Sequence, residues 1–210
     1  MMTRRLLQLL IGLAMYGISL AMFIRAGLGL DPWDVFHQGI AVKTGLSIGT
    51  VVVIVSFLVL LLWIPLRQWP GIGTLCNAVL VGVFADIGLA LIPAFSHLGG
   101  QTGMLAGAIL LNGIASACYI GARLGPGARD GLMTGLARRT GWSVRASRTG
   151  IEVVVLGAGW LLGGSVGVGT VLYALAIGPL VQFLLPRFTV PELKEPKVPE
   201  LAADPAGAAR

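Results

Sequence analysis

Ionisable residues are sparse in this chain, and a few of them stand at related places far apart. Asp31 and Asp34 flank Pro32-Trp33, and Arg129-Asp130 follows Gly127. Asp86 lies alone in an apolar run. Carboxylates and a guanidinium in such company can pair with one another, hold the polar end of a small solute, or exchange a proton. The sequence offers little other chemistry. No Ser/His/Asp or Cys/His set is visible, and His37 and His97 lack metal-ligand spacing with each other or with acids. The sequence therefore predicts no enzyme, no catalytic residues, no cofactor and no metal. Cys76 and Cys118 both lie inside apolar segments and read as small buried residues rather than a disulfide.

Composition says where these residues must work. Of 210 residues, 56% are apolar and only 11% are charged, and mean hydropathy is +0.88. A water-soluble domain carries about 25% charge, so the chain reads as an integral membrane protein with the lipid bilayer as its first partner. The net charge of +6 is explained by the bias of Lys and Arg toward cytoplasmic loops, not by nucleic-acid binding. Thirty-one glycines suit helices that approach closely in lipid.

The elements that position the ionisable residues occur twice. Leu28-Gly29-Leu30-Asp31-Pro32-Trp33-Asp34, continuing to Thr44-Gly45-Leu46-Ser47, aligns without a gap on Leu124-Gly125-Pro126-Gly127-Ala128-Arg129-Asp130, continuing to Thr140-Gly141-Trp142-Ser143, at a shift of 96 positions. The same shift lays Gly71-Ile72-Gly73-Thr74 on Gly167-Val168-Gly169-Thr170. Over 11–89 against 107–185, 22 of 79 positions are identical. Glycine and aliphatic bias does not account for the matched Asp34/Asp130, Thr44/Thr140 and Ser47/Ser143.

Apolar runs about 20 residues long, the length needed to span, predict transmembrane helices over about 5–25, 48–66, 72–92, 102–122 and 168–185, and a shorter one over 147–163. Repeat 1 is 1–100 and repeat 2 is 101–186. Thr3-Arg4-Arg5 before Leu6 to Ile24 resembles a signal peptide, but the run is long enough to span and has a counterpart at 102–122. The Pro-, Glu- and Ala-rich stretch 187–210 reads as a disordered cytoplasmic tail. Counting Lys and Arg puts both termini inside, with Arg67, Arg123, Arg138, Arg139, Arg145 and Arg148; only Arg25 and Lys43 fall outside. Three spans per repeat then make the repeats enter from opposite sides. The expected fold is an all-α membrane protein of six transmembrane helices, arranged as two inverted three-helix repeats, each with a short re-entrant or interfacial half-helix.

Those half-helices carry the ionisable residues. Asp31 suits an N-cap, Pro32 the first helical position, and Asp34 the acid position of a capping box. Gly45 suits the C′ position. The first half-helix is expected over 32–43 and the second over 128–139, with Gly127 at its cap. Twelve residues span roughly 18 Å, about half a bilayer. Two geometries fit. In one, the glycine-rich entry dips to the midplane and the half-helix climbs back, which membranes tolerate only where backbone is buried in protein. In the other, the segment lies flat with Phe36, Ile40, Leu132 and Leu136 in lipid. In the re-entrant case two positive helix ends face each other, favouring an anion, with Arg129 paired to Asp130 or to Asp34. The expected substrate-binding residues are Gly29, Asp31, Asp34, Gly125, Gly127, Arg129 and Asp130, with Asp86 as a coupling group. Blander roles exist. Asp34 and Asp130 can simply cap helices, Arg129 can lie in headgroups, Asp86 can hydrogen-bond a neighbouring helix, and Glu152 can pair with Arg148 at i,i+4. The histidines need no special role, and the glycines from Gly157 to Gly169 suit helix packing.

Gly-Leu-Gly-x-x-Pro-Trp-Asp-Val at 27–35, Gly-x-Arg-Asp-Gly-Leu-Met at 127–133, Arg-Thr-Gly at 139–141 and Gly-x-Gly-Thr at 167–170 together resemble the YczE branch of the YczE/YitT-like bacterial membrane proteins, over about 5–186. The resemblance implies a multi-pass protein of the bacterial inner membrane and no particular substrate. Two functions follow. One is a transporter or channel for a small solute, an anion among the candidates, with its site between the repeats. The other is a non-transporting adaptor that binds a partner through its basic cytoplasmic face. A homo-oligomer is compatible with either.

Overall fold

The structure is a computed structural model and describes residues 2–191. Eight helices follow in order: α1 (Met2–Ala26), α2 (Pro32–Thr44), α3 (Ile48–Trp63), α4 (Ile72–Leu91), α5 (Leu98–Gly121), α6 (Ala128–Thr140), α7 (Val144–Leu161) and α8 (Val168–Phe188). No strand occurs among the described residues. Four helices, α1, α4, α5 and α8, are long and apolar enough to cross a membrane, and α2 with α3, bent by 115° at their junction, forms a fifth candidate. Many aliphatic side chains such as Leu7, Ile11, Leu61 and Val154 are exposed, as expected for surfaces that meet lipid.

The two long helices α1 and α5 pack on each other at the centre, with α4 on α1 and α8 on α5. Small residues set these distances. A Cβ on Gly12 would come within 2.8 Å of the Tyr119 backbone nitrogen, and one on Gly17 within 2.5 Å of the Val81 carbonyl oxygen. Helices without directional glue in lipid associate through such close packing. Around this core α2 lies on α7, and α6 on α3.

The helix starts at 2, 32, 48 and 72 recur at 98, 128, 144 and 168, the 96-residue shift seen in the sequence. Left-handed backbone recurs with it. Positive φ occurs at Gly27 and Arg123, Gly29 and Arg123's neighbour-but-one Gly125, Gly45 and Gly141, and Arg67 and Gly163.

The ends were partly legible. Ser47 and Ser143 cap α3 and α7, accepting from the Thr50 and Ala146 backbone N–H groups. Gly45 and Gly141 close α2 and α6 in the left-handed conformation, so each half-helix runs one residue past its expected end. Helix α3 stops at Trp63 rather than 66, because Pro65 has no N–H to continue the helical bonding and Arg67 turns the chain in left-handed backbone. Helices α1, α5 and α7 each begin three or four residues earlier than hydropathy indicates, since polar residues extend a helix past its apolar run. Residues 187–191, expected to belong to the tail, are instead part of the packed structure. Helix α8 continues through Phe188, and Val190 is buried, donating its N–H to the Gly121 carbonyl at 2.9 Å. The Arg5 guanidinium binds the Pro191 carbonyl at 2.7 Å. The rest of the expected tail, 192–210, lies outside the described residues.

Candidate functional site

The start of α2 is built as its residue types dictate. Asp31 has extended backbone (φ −66°, ψ 160°), and its Oδ1 accepts the Asp34 N–H at 2.9 Å. Pro32 occupies the first turn, where its missing N–H is not needed. This fixes Asp31 and Asp34 side by side, and both are only 2% exposed. Three residues on, on the same face, buried His37 brings Nδ1 to 3.2 Å from Asp34 Oδ1.

Helix α6 supplies the opposing charge. Arg129, in its first turn, reaches across so that one terminal nitrogen lies 3.2 Å from Asp34 Oδ1 and the other 3.7 Å from Asp31 Oδ1. Its guanidinium also sits 5.2 Å from the Trp33 ring centre, within cation–π range. Of the two partners expected for Arg129, Asp130 or Asp34, it is Asp34 that pairs with it, with Asp31 as a second carboxylate. The second oxygens of Asp31 and Asp34, and Trp33 Nε1, are buried without a hydrogen-bond partner among the described residues.

Asp130 turns the other way and accepts the Tyr119 hydroxyl at 2.8 Å. The chain has three tyrosines, and Tyr16, Tyr119 and Tyr173 all line one cavity of about 220 Å³ together with Asp130. Tyr16 and Tyr119 meet edge to face at 6.0 Å. Tyr173 donates to Asn112 Oδ1 at 3.2 Å, and Asn112 donates to Ser19 Oγ at 2.9 Å. This chain of bonds ties α8, α5 and α1 behind the site.

Not every expected residue faces open space. Gly29 has φ +110° and is pressed against the start of α8, where a Cβ would lie 2.6 Å from Gly167 N and 2.7 Å from Thr170 Oγ1. Gly125, with φ +124°, meets Thr74 Oγ1 at 2.7 Å in the same way at the start of α4. Both glycines serve backbone approach, and Leu28 and Leu124 extend it by accepting the Gly169 and Gly73 N–H groups at 2.8 Å each. Gly127 is buried beside Asp130 and Tyr119. Asp86 is tied up elsewhere. Its carboxylate accepts the Gly49 N–H at 2.8 Å and the Ser47 hydroxyl at 2.6 Å, holding α4 to the start of α3. That is the hydrogen bond to a neighbouring helix that its bland reading foresaw. Arg148 and Glu152 form their expected i,i+4 pair at 2.8 Å. Phe36, Ile40, Leu132 and Leu136 line a broad apolar groove between the half-helices, α3 and α7.

His37 and the tyrosines were the residues that sequence reasoning missed. For His37 a signal existed in its i,i+3 spacing from Asp34. For the tyrosines there was none, since each comes from a different helix.

Among the described residues no group of three His, Cys, Asp or Glu side chains converges as a metal site. The arrangement is thus a buried acid–base cluster beside a polar, tyrosine-lined cavity.

Comparison with known proteins agrees with the resemblance in the motifs. The pattern of a "Family of unknown function (DUF6198)" matches residues 3–186. An "Uncharacterized protein" of Haemophilus influenzae is 40% identical over 177 residues, 84% of this chain and 81% of the relative. The "Uncharacterized membrane protein YczE" of Bacillus subtilis is 38% identical over 173 residues, 82% of this chain and 80% of the relative. No solved structure matches. The apolar helices, the named membrane relative and the matched length together place this chain in the DUF6198 family, among the YczE-like multi-pass membrane proteins.

Proposed function

We propose that this protein is a non-enzymatic transporter of a small solute, built from two inverted repeats that exchange their arrangements around the Asp130–tyrosine cavity. In this reading α1, α3, α4, α5, α7 and α8 cross the bilayer, while α2 and α6 enter it as re-entrant half-helices whose N-termini meet at the centre. Several observations support it. The helix starts and left-handed residues recur at one shift. The contacts are exchanged between halves: the loop before α2 rests on α8 and the loop before α6 rests on α4, while α2 packs on α7 and α6 on α3.

The observation that carries the proposal is a difference between the halves. Helix α3 lies against α4, sealed by Asp86. Their counterparts α7 and α8 stand apart around a cavity of about 480 Å³, lined by Arg145, Arg148, Glu152, Tyr173 and Gln182. That space shares Arg148, Tyr173 and Gln182 with the smaller cavity that ends on Tyr16, Tyr119 and Asp130. Related halves in unlike arrangements are what alternating access through inverted repeats requires. Gln182 stands at the position of Asp86 and Ser143 at that of Ser47. In the opposite state, Gln182 closes on the start of α7 and Asp86 releases α3. With the N-terminus cytoplasmic, as the Lys and Arg bias indicates, the open mouth faces the cytoplasm of a bacterial inner membrane and the Asp86 seal faces outward. Because Arg129 is already paired, the group presented at the cavity floor is the Asp130 carboxylate among tyrosine rings. This suits a cationic or hydrogen-bonding end of a solute better than the anion expected from bare helix ends.

The test is sided labelling with an impermeant thiol reagent after Cys76 and Cys118 are replaced by Ser. Gly178→Cys is the probe, because it lines both cavities and its side chain enters open space. Labelling is expected from the cytoplasmic side alone, and Asp86→Asn is expected to lower it by loosening the opposite seal. Lys43→Cys and Arg139→Cys should label from opposite sides. Labelling of Gly178→Cys equally from both sides, or of the latter two from one side, would sink the proposal and favour the adaptor reading.

A further inference from the structure

The charges around Arg129 do not balance. Asp31 and Asp34, both 2% exposed, face one guanidinium. Each keeps one oxygen buried and unpartnered among the described residues. Two carboxylates against one fixed cation leave one negative charge in excess, and an uncompensated buried charge costs several kcal/mol. Something positive must therefore accompany the cluster. A metal ion is disfavoured, since no three candidate ligands converge among the described residues. His37, 3.2 Å from Asp34 and 1% exposed, can accept a proton but cannot act as a fixed cation.

We propose that Asp31, Asp34 and His37 form a binding site for one exchangeable proton, held against Arg129. The other titratable groups around it are Tyr16 from α1, Tyr119 from α5, Asp130 from α6, Arg148 and Glu152 from α7 and Tyr173 from α8. The one fixed cation among these, Arg148, is held by Glu152 at 2.8 Å and so does not replace the proton. Open space comes up to the cluster at Arg129. The open cavity ends on Tyr16, Tyr119 and Asp130, and the same three residues border a void of about 60 Å³ that touches Arg129. A void of that size has room for a water or two. A proton passing from cavity water through Asp130 or that void reaches Asp34, and it leaves by the same path. Both Arg129 and Asp130 belong to the first turn of α6, so a change of charge in the cluster alters what holds α6 against α2. Proton binding at the site does not depend on the transport reading; its use to drive the exchange of states does.

The test is pH-difference infrared spectroscopy of the purified protein in lipid, with choline chloride as the only salt. A protonated-carboxyl or imidazolium band that changes with pH is expected. Asp31→Asn, Asp34→Asn and His37→Gln should each remove or displace it, while Asp86→Asn should leave it in place. Size-exclusion profiles identify any variant that fails to fold, and the folded ones among the three decide the outcome. An unchanged band in all three variants overturns the proposal. So does loss of the titration when sodium replaces choline, which would show that a metal cation neutralises the site. Because no solute is required, failure here is distinct from failure of the sided-labelling experiment.

Discussion

Asp34 Oδ1 lies 3.2 Å from both His37 and Arg129, so one atom serves two partners out of contact with water. Removing one member of a buried ion pair costs about 3–5 kcal/mol, because the other charge is left uncompensated. Arg129→Ala, which leaves the Asp31 and Asp34 carboxylates without their cation, is accordingly expected to lower stability by about 3 kcal/mol, read as a large fall in the thermal unfolding midpoint in detergent. Arg148→Ala breaks a pair whose members are much more exposed and should cost under about 0.5 kcal/mol. Equal effects of the two would refute the buried-cluster description. At this scale the sequence was informative wherever partners are close along the chain, or matched by the repeat. The Asp31 cap, the Arg148–Glu152 pair and the Arg129–Asp34 alternative were all readable. The Tyr119–Asp130 bond and the Tyr173–Asn112–Ser19 chain were not, because such partners meet only after α1, α5, α6 and α8 have packed.

At the scale of elements, α2 owes its place to α7. A Cβ on Gly159 would lie 2.5 Å from the Phe36 backbone, and one on Gly39 would lie 2.5 Å from the Gly159 carbonyl oxygen. Gly159→Leu forces the helices apart at a contact made of backbone, and overpacking of this kind costs about 1–3 kcal/mol. Gly157→Ala, where nothing lies within 4 Å, should be neutral. Measured unfolding midpoints separate the two cases. Glycine content showed that close packing was coming, but not which helix each glycine would meet. The half-helices were legible to within one residue, because caps and left-handed closures leave local signatures. The span ends were less so: hydropathy reports where apolar residues run, whereas a helix continues until a cap or a proline stops it.

The molecule as a whole places its charged cluster between α2 and α6 and encloses it with the longer helices. The walls are unequal in height. Helix α1 has 25 residues and α5 has 24, whereas α3 has only 16. Sixteen residues rise about 24 Å, against about 30 Å of hydrocarbon in a typical bilayer. Helix α7 has 18 residues and spends its first turns on Arg145, Arg148 and Glu152. If both cross the membrane, as proposed, lipid must thin beside them, at a fraction of a kcal/mol per Å of mismatch. These are the two helices whose seams differ, α3 sealed and α7 parted. Thickness of the surrounding bilayer then becomes a variable that acts on the seams. Labelling of Gly178→Cys should differ between vesicles of short-chain and long-chain lipid, and an unchanged extent would count against short spans. Adjusting acyl-chain length would thus tune this protein's two faces with no ligand at all.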